Sequence, residues 1–303
     1  MMSKIEDGAA PPVIDYEGSD YQSTFWDAGK RDYEDQTEVI ALKRLLPRSG
    51  KLMLEIGAGA GRNTQRYAGY DKIVVMDYSV TQLQQAQKRL GRGDEFIYVA
   101  ADVYRLPFVA GLFDGATMIR VLHHIIDVPK ALKLIRQVLQ PQGIFILEYA
   151  NKQNFKAIFR YLLRGQSWNP FTPEQIEFVD LNFNFHPKAI RKELQSADFN
   201  LERQLTVSHF RVNLIKRIVP TKLLVWLDSL VQFTGRWFQF SPSVFTRSQA
   251  VGNSPIALDG TFFRCPSCGE ALREDSEAAY LESTCGKKWG IRDGIYNFKE
   301  AIQ

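Results

Sequence analysis

From Lys51 to Glu148 the chain alternates short apolar runs with amphipathic ones, and that alternation constrains the fold more than any other feature. The runs at 52–56, 73–76, 95–99, 115–119 and 143–148 read as strands too apolar to be half-exposed. Between them, stretches such as 81–90 and 128–139 repeat their apolar residues with a helical period. Buried strands separated by helices imply a mainly parallel sheet covered on both faces, a doubly wound α/β domain. Ligands of such sheets bind outside the carboxyl ends of the strands, so the loops after each strand are where chemistry belongs.

The rest of the chain is arranged around that domain. A helix is expected over 33–46, where Ile40, Leu42, Leu45 and Leu46 recur at helical spacing before Pro47 and Gly50 stop it. Residues 1–20 are polar and contain proline, so they are expected to be poorly ordered; Tyr21, Phe25, Trp26 and Tyr33 then supply aromatic anchors. Beyond Glu148, helices are expected at 155–163 and 187–196 and strands at 201–210 and 243–251. Residues 211–240, rich in Leu, Ile, Val, Trp and Phe with scattered Lys and Arg, read as a helical cap inserted between those two strands. With 303 residues there is room for one full α/β domain and about fifty residues more, which gives a division into 1–252 and a small module at 253–303.

Charge and cysteine usage narrow the setting. Thirty-eight basic against 34 acidic residues give a net charge of +4, which permits an anionic partner without demanding one. All three cysteines fall at 265, 268 and 285, which is unlike a secreted disulfide framework and points to a reducing, cytoplasmic compartment. No apolar stretch resembles a signal peptide or is long enough to span a bilayer, although contact with a membrane surface stays open.

The strand at 52–56 runs into Gly57-Ala58-Gly59-Ala60-Gly61, where small residues let the backbone turn tightly and approach a ligand. Asp77 ends the next strand, 20 residues after Gly57, where a carboxylate can accept hydrogen bonds from both hydroxyls of a ribose. Asp102 follows the third strand, in position to receive the exocyclic amine of a purine. Singly, each Asp reads first as a helix cap or a solvated loop residue; together with the glycine turn they suit a nucleoside. The sixth position of a dinucleotide fingerprint is Arg62 rather than glycine, which disfavours NAD, and no Gly-Lys-Ser/Thr follows a glycine loop.

These residues resemble the class I S-adenosylmethionine-dependent methyltransferases, a Rossmann-like family, in particular the branch that includes quinone-biosynthesis enzymes. The resemblance runs in order through 54–61, 75–79, Ala101-Asp102-Val103, Leu106-Pro107-Phe108, Phe113-Asp114, Val121-Leu122-His123-His124 and 138–143, and covers roughly residues 30 to 150. It implies that Glu55 and Gly57, Ala58, Gly59 and Gly61 hold the amino-acid portion of S-adenosyl-L-methionine. Asp77 with Tyr78 would hold the ribose side, Asp102 and Val103 the adenine, and the backbone at Arg120 the methionine side. Arg120 stands where the family often has a small or polar residue, and Gln142 where it usually has glycine. The first departure reads either as a cation for an anionic substrate or as a salt bridge.

Methyl transfer from a sulfonium needs alignment more than a dedicated catalytic group, but an acceptor that loses a proton benefits from a base. His123 is the candidate, with His124, His186 and Tyr33 behind it. Cys265-Pro266-Ser267-Cys268 is a zinc-type knuckle and Cys285 a third ligand. This segment, with Trp289 to Ile295, resembles small zinc-ribbon proteins that activate certain tRNA and translation-factor methyltransferases. In that pattern the fourth ligand falls at Glu282, which leaves a three-cysteine, one-glutamate site and a metal-free β-rich module both open. The leading expectation is a small-molecule, hydrophobic or lipid-like acceptor. RNA or protein acceptors aided by the C-terminal module form the alternative, and a non-catalytic cofactor-binding scaffold the third reading.

Overall fold

The computed structural model describes residues 11–19, 24, 31–272 and 279–302. Tyr21, Phe25 and Trp26, expected as anchors, lie outside the described residues, as do the first ten residues expected to be poorly ordered. Helix α1 (Asp32–Leu45) carries Asp32, Glu34 and Asp35 in its first turn and Lys43 and Arg44 in its last, which complements the helix dipole at both ends. The alternating region then forms β1 (Gly50–Ile56), β2 (Tyr70–Asp77), α2 (Val80–Leu90), β3 (Phe96–Ala100), β4 (Phe113–Met118), α3 (Val128–Val138) and β5 (Leu139–Ala150). After it come α4 (Phe155–Leu162), the hairpin β6 (Ile176–Val179) and β7 (Asn182–Asn184), α5 (Pro187–Ser196) and β8 (Phe199–Val207). The chain ends with α6 (Asn213–Ile218), α7 (Thr221–Val231), β9 (Ser243–Ala250), β10 (Tyr280–Glu282), β11 (Lys288–Arg292) and β12 (Ile295–Asn297).

The sheet order is β10-β11-β12-β3-β2-β1-β4-β5-β9-β8. Strands β3, β2, β1, β4 and β5 are parallel, β9 is antiparallel to β5, and β8 is antiparallel to β9. Chain order reverses between β1 and β4, so the crevice at their carboxyl ends is the switch point of the sheet. Alternate residues supply the two faces: Leu54, Val74, Val99 and Phe145 enter one core layer, Met53, Val75, Tyr98 and Ile146 the other. That double burial is why these strands read as apolar runs rather than as alternating patterns.

Three local outcomes differ from the sequence reading. Strand–helix alternation implies a helix between β1 and β2, beginning near Arg62 and Asn63, but the chain makes a single 3-10 turn there, Thr64–Tyr67. Gly69 then leads into β2 packed close against the chain before β1, where an added Cβ would sit 2.4 Å from the Arg48 carbonyl oxygen. The β6–β7 hairpin lies between the helices expected at 155–163 and 187–196, where the sequence reading has no strand. Residues 11–19, within the segment expected to be poorly ordered, lie on the body: the Glu17 carboxylate accepts from Val80 and Thr81 N–H groups at 3.0 and 3.1 Å, at the amino end of α2.

The insertion between β8 and β9 is helical, as its composition predicts, and α7 packs on α1. Leu224 and Val225 bury against Tyr33, whose hydroxyl donates to buried Asp228 at 2.7 Å and accepts from the Phe210 N–H at 2.9 Å. Downstream, the segment after residue 252 joins the main core rather than standing apart. Phe263 stacks on Phe108 at 5.9 Å, and β12 extends the parallel sheet beyond β3.

Candidate active site

Gly57, Gly59 and Gly61 all have positive φ, at 69°, 55° and 74°. A Cβ on Gly57 would lie 2.2 Å from Val121 Cγ2 and one on Gly61 2.8 Å from Leu90 Cδ1, so both backbone geometry and space demand glycine. The Gly59 N–H donates to Asp77 Oδ2 at 2.8 Å and the Ser79 N–H to Oδ1 at 2.9 Å. The Asp77 carboxylate thus joins the loops after β1 and β2; burial raises its pKa, against the pull of these backbone donors. Each of its oxygens keeps a lone pair for a further donor.

A cavity of about 140 Å³ lies over these loops, bounded by Gly57–Gly59, Asp77 and Tyr78 on one side and Val103 and Arg120 on the other. Ligand pockets usually run to about 300 Å³ or more. Val13, Ile14 and Tyr16 line this cavity from the N-terminal segment. The Tyr16 hydroxyl lies 3.2 Å from His124 Nε2, whose other ring nitrogen lies 3.2 Å from the Leu181 carbonyl oxygen.

Of the residues singled out from sequence, Gly57, Ala58, Gly59, Asp77, Tyr78, Val103 and Arg120 meet at this cavity. Glu55, Gly61 and Asp102 stand behind its wall. Glu55 is buried and accepts from Thr64 Oγ1 at 2.5 Å; desolvation pushes it up to about 7. Asp102 caps the turn at Val103–Arg105, accepting the Tyr104 N–H at 2.8 Å.

Arg120 is no surface salt bridge. Its φ of 63° is rare for a residue with a side chain and is held by buried acids. Its N–H donates to Glu148 Oε2 at 3.0 Å, and its guanidinium grips Glu38, with Nε at 2.8 Å from Oε1. Glu38 also accepts from Arg62 at 2.9 Å. Burial alone would raise the Glu38 pKa, but Arg120 and Arg62 outweigh it and hold the acid down to about 2.

Arg120 also borders a second cavity, of about 800 Å³. His123 lines this second cavity rather than the first, and burial, reinforced by His124, Arg120 and Arg211, keeps its pKa well below the usual histidine value. Glu148, Asn151, Lys156, Arg160 and Arg211 share the wall, contributed by segments scattered from β5 to the loop after β8. The other base candidates have structural partners: Tyr33 serves Asp228, and His186 Nδ1 accepts the Lys188 N–H at the start of α5.

At the far edge of the sheet the Sγ atoms of Cys265, Cys268 and Cys285 lie within 4.8 Å of one another. Glu282 is not among them. Leu281 and Ser283 are buried while Glu282 is exposed, as strand alternation dictates, so Ser283 brings its hydroxyl to 3.1 Å from Cys268 Sγ. The position taken from the zinc-ribbon resemblance thus carries a side chain that the strand turns to solvent.

Comparison with known proteins fits this geometry. The family model described as a methyltransferase domain matches residues 54–147. The 2-phytyl-1,4-naphtoquinone methyltransferase of Nostoc punctiforme is 30% identical over 171 residues, 46% of this chain and 74% of that protein. An O-methyltransferase of Penicillium expansum is 30% identical over 158 residues, 48% of this chain and 56% of that one. The chain belongs to the S-adenosylmethionine-dependent methyltransferase family. It spans about half the length of the first curated relatives it matches. Among solved structures, a chain from the complex of the Haloferax volcanii Trm112 methyltransferase activator with a methyltransferase superposes with a TM-score of 0.55 at 14% identity, covering 77% of this chain and 96% of that one. At that identity the likeness is one of fold. No helix among the described residues is long and apolar enough to cross a membrane.

Proposed function

We propose that this chain transfers the methyl group of S-adenosylmethionine, held at the glycine loop, to a small-molecule acceptor in the second cavity. The observation that carries this reading is that the two cavities meet at Arg120. The donor set suits the cofactor: tight backbone at Gly57–Gly59 for the amino-acid portion, Asp77 for ribose hydroxyls, and Tyr78 and Val103 beside the base. When bound, the cofactor supplies a methyl group made electrophilic by its sulfonium. The chain's own part is to align the acceptor and keep water out, while Arg120, fixed by Glu38 and Glu148, holds the divide between donor and acceptor. Burial holds the His123 pKa low, which favours the neutral ring, and its place on the wall of the second cavity makes it the candidate base for a hydroxyl acceptor. The relatives named for O-methyl and quinone methyl transfer support a small, apolar-bodied acceptor.

Residues 1–252 form the transferase body in this reading and 253–303 a zinc-ribbon-like module. The three thiols fit three corners of a tetrahedral zinc site, with Cys265, Cys268 and Cys285 as ligands and the fourth place left to water or to Ser283. About one zinc per purified chain supports the site, and a metal-free, fully folded chain removes it.

The cofactor claim is tested by calorimetric titration of S-adenosylhomocysteine into wild type and Asp77→Ala. Micromolar binding that the variant loses supports the reading. A wild-type chain that binds neither S-adenosylhomocysteine nor S-adenosylmethionine overturns it.

A further inference from the structure

We propose that the face formed by α4 and α6 seats on an anionic lipid bilayer, and that the second cavity draws an amphiphilic acceptor from that surface. The proposal rests on the reading of this cavity as the acceptor site. Helix α4 is inside out by the rule for globular helices: of its side chains only Ala157 is buried. Phe155, Phe159 and Leu162, with Leu163 just beyond, recur at i, i+4 and i+7 as one apolar stripe, yet each is about two-thirds exposed. Beside the stripe run Lys156, Arg160 and Arg164, at i, i+4 and i+8. No acidic residue occurs between 155 and 171.

The second segment repeats the pattern. On α6, Leu214 and Ile218 are exposed, with Arg217 on the same short helix and Lys222 soon after, and no acid lies between 210 and 223. Phe155, Lys156 and Arg160 of α4 and Val212, one residue before α6, all line the second cavity, so both segments flank it. Lys156, Arg160 and Arg217 make no ion pair among the described residues, which leaves their charge for an outside partner.

An apolar stripe flanked by cations on an exposed helix is the pattern of elements that lie in a bilayer interface, with apolar side chains among the acyl chains and cations at anionic head groups. Charge decides against a second copy of the chain, because a two-fold contact would press this basic face on itself. Aliphatic side chains favour a lipid surface over nucleic acid: Leu162, Leu163, Leu214 and Ile218 offer nothing to stack on bases, and of this stripe only Phe155 and Phe159 carry rings.

Sedimentation of the full chain with vesicles tests this. Wild type should bind vesicles of phosphatidylcholine mixed with phosphatidylglycerol, bind pure phosphatidylcholine at least about tenfold more weakly, and lose binding as salt rises. Phe159→Ser/Leu163→Ser and Arg164→Glu/Arg217→Glu, which lie outside both cavities, should each weaken binding to the mixed vesicles by about tenfold or more. Wild type left in the supernatant with mixed vesicles overturns the proposal. So does equal binding to both vesicle types with no effect of the charge reversal, or a dimer that Phe159→Ser/Leu163→Ser converts to monomer without changing vesicle binding. S-adenosylhomocysteine affinity, measured in parallel, should match wild type in every variant. If no chain binds it, wild type included, the methyltransferase reading falls while the vesicle result still decides the docking surface.

Discussion

The two cavities that share Arg120 are made of different material. The first is a backbone device, with left-handed Gly57 and Gly59, one carboxylate tied to two N–H groups, and a largely apolar wall. The second is a side-chain device, walled by cations, amides, aromatic rings and Glu148 from many separate segments. Backbone geometry suits a ligand that never changes, because it allows few substitutions. A wall of long side chains can be re-specified one residue at a time without moving the sheet. The contrast teaches where this chain is free to be specific: in the second cavity and not in the first.

Four substitutions test that contrast. Glu38→Gln, at the divide, leaves Arg120 and Arg62 short of their shared buried partner and should cost about 3–5 kcal/mol in urea denaturation. Because the folded pKa of Glu38 is depressed to about 2 from 4.5, its stabilisation is present above the ordinary carboxylate range and lost as pH falls through about 2. Wild-type stability near neutral pH in the variant would show that Arg120 is held otherwise and that the divide is soft. Glu55→Gln acts in the opposite sense. With a folded pKa raised to about 7, Glu55 favours the folded state least once pH has risen through 7, so the variant should gain about 3 kcal/mol over wild type at pH 8 and little at pH 4. An equal difference at both pH values refutes the raised pKa.

Within the first cavity the effects move from stability to affinity. Asp77→Asn keeps the shape but turns an amide toward ligand and loop donors. It should weaken S-adenosylhomocysteine by about 2 kcal/mol, roughly thirtyfold, with the melting temperature nearly unchanged. A large fall in melting temperature would instead make Asp77 a loop staple. Tyr16→Phe is the mildest: removing the contact with His124 should change affinity by about 1 kcal/mol or less, upward if the N-terminal segment mainly obstructs entry.

What the amino-acid order makes legible follows from how local each feature is. The glycine turn, Asp77 and Tyr78 occupy single turns or strand ends, so neighbours in sequence are neighbours in space, and these residues do converge. The second cavity was not legible, since nothing in the sequence around Arg120 announces Glu38 on α1 or Arg211 beyond β8. Its one readable hint was the basic and aromatic composition of 211–240, and α4, with the same character, went unremarked because helical periodicity does not say which face is buried. Tyr16 and its neighbours were read as disordered from composition, a measure blind to the docking that Glu17 makes at the start of α2. Glu282 comes from a resemblance in motif spacing, which does not say which face of a short strand a residue occupies; here Ser283, its neighbour, faces the thiols.

The pairing of β12 with β3 gives the last fifty residues a protective duty independent of metal or activator. Residues 295–297 run alongside 98–100, and Phe298 donates its N–H to the Ala100 carbonyl at 2.8 Å. Without that hem, β3 would present a raw selvage of unpaired N–H and C=O groups next to Phe108, newly stripped of Phe263. A chain cut at residue 252 should therefore precipitate through strand-to-strand association even if its cofactor loops are intact, which makes the tail a guard against the domain's own stickiness.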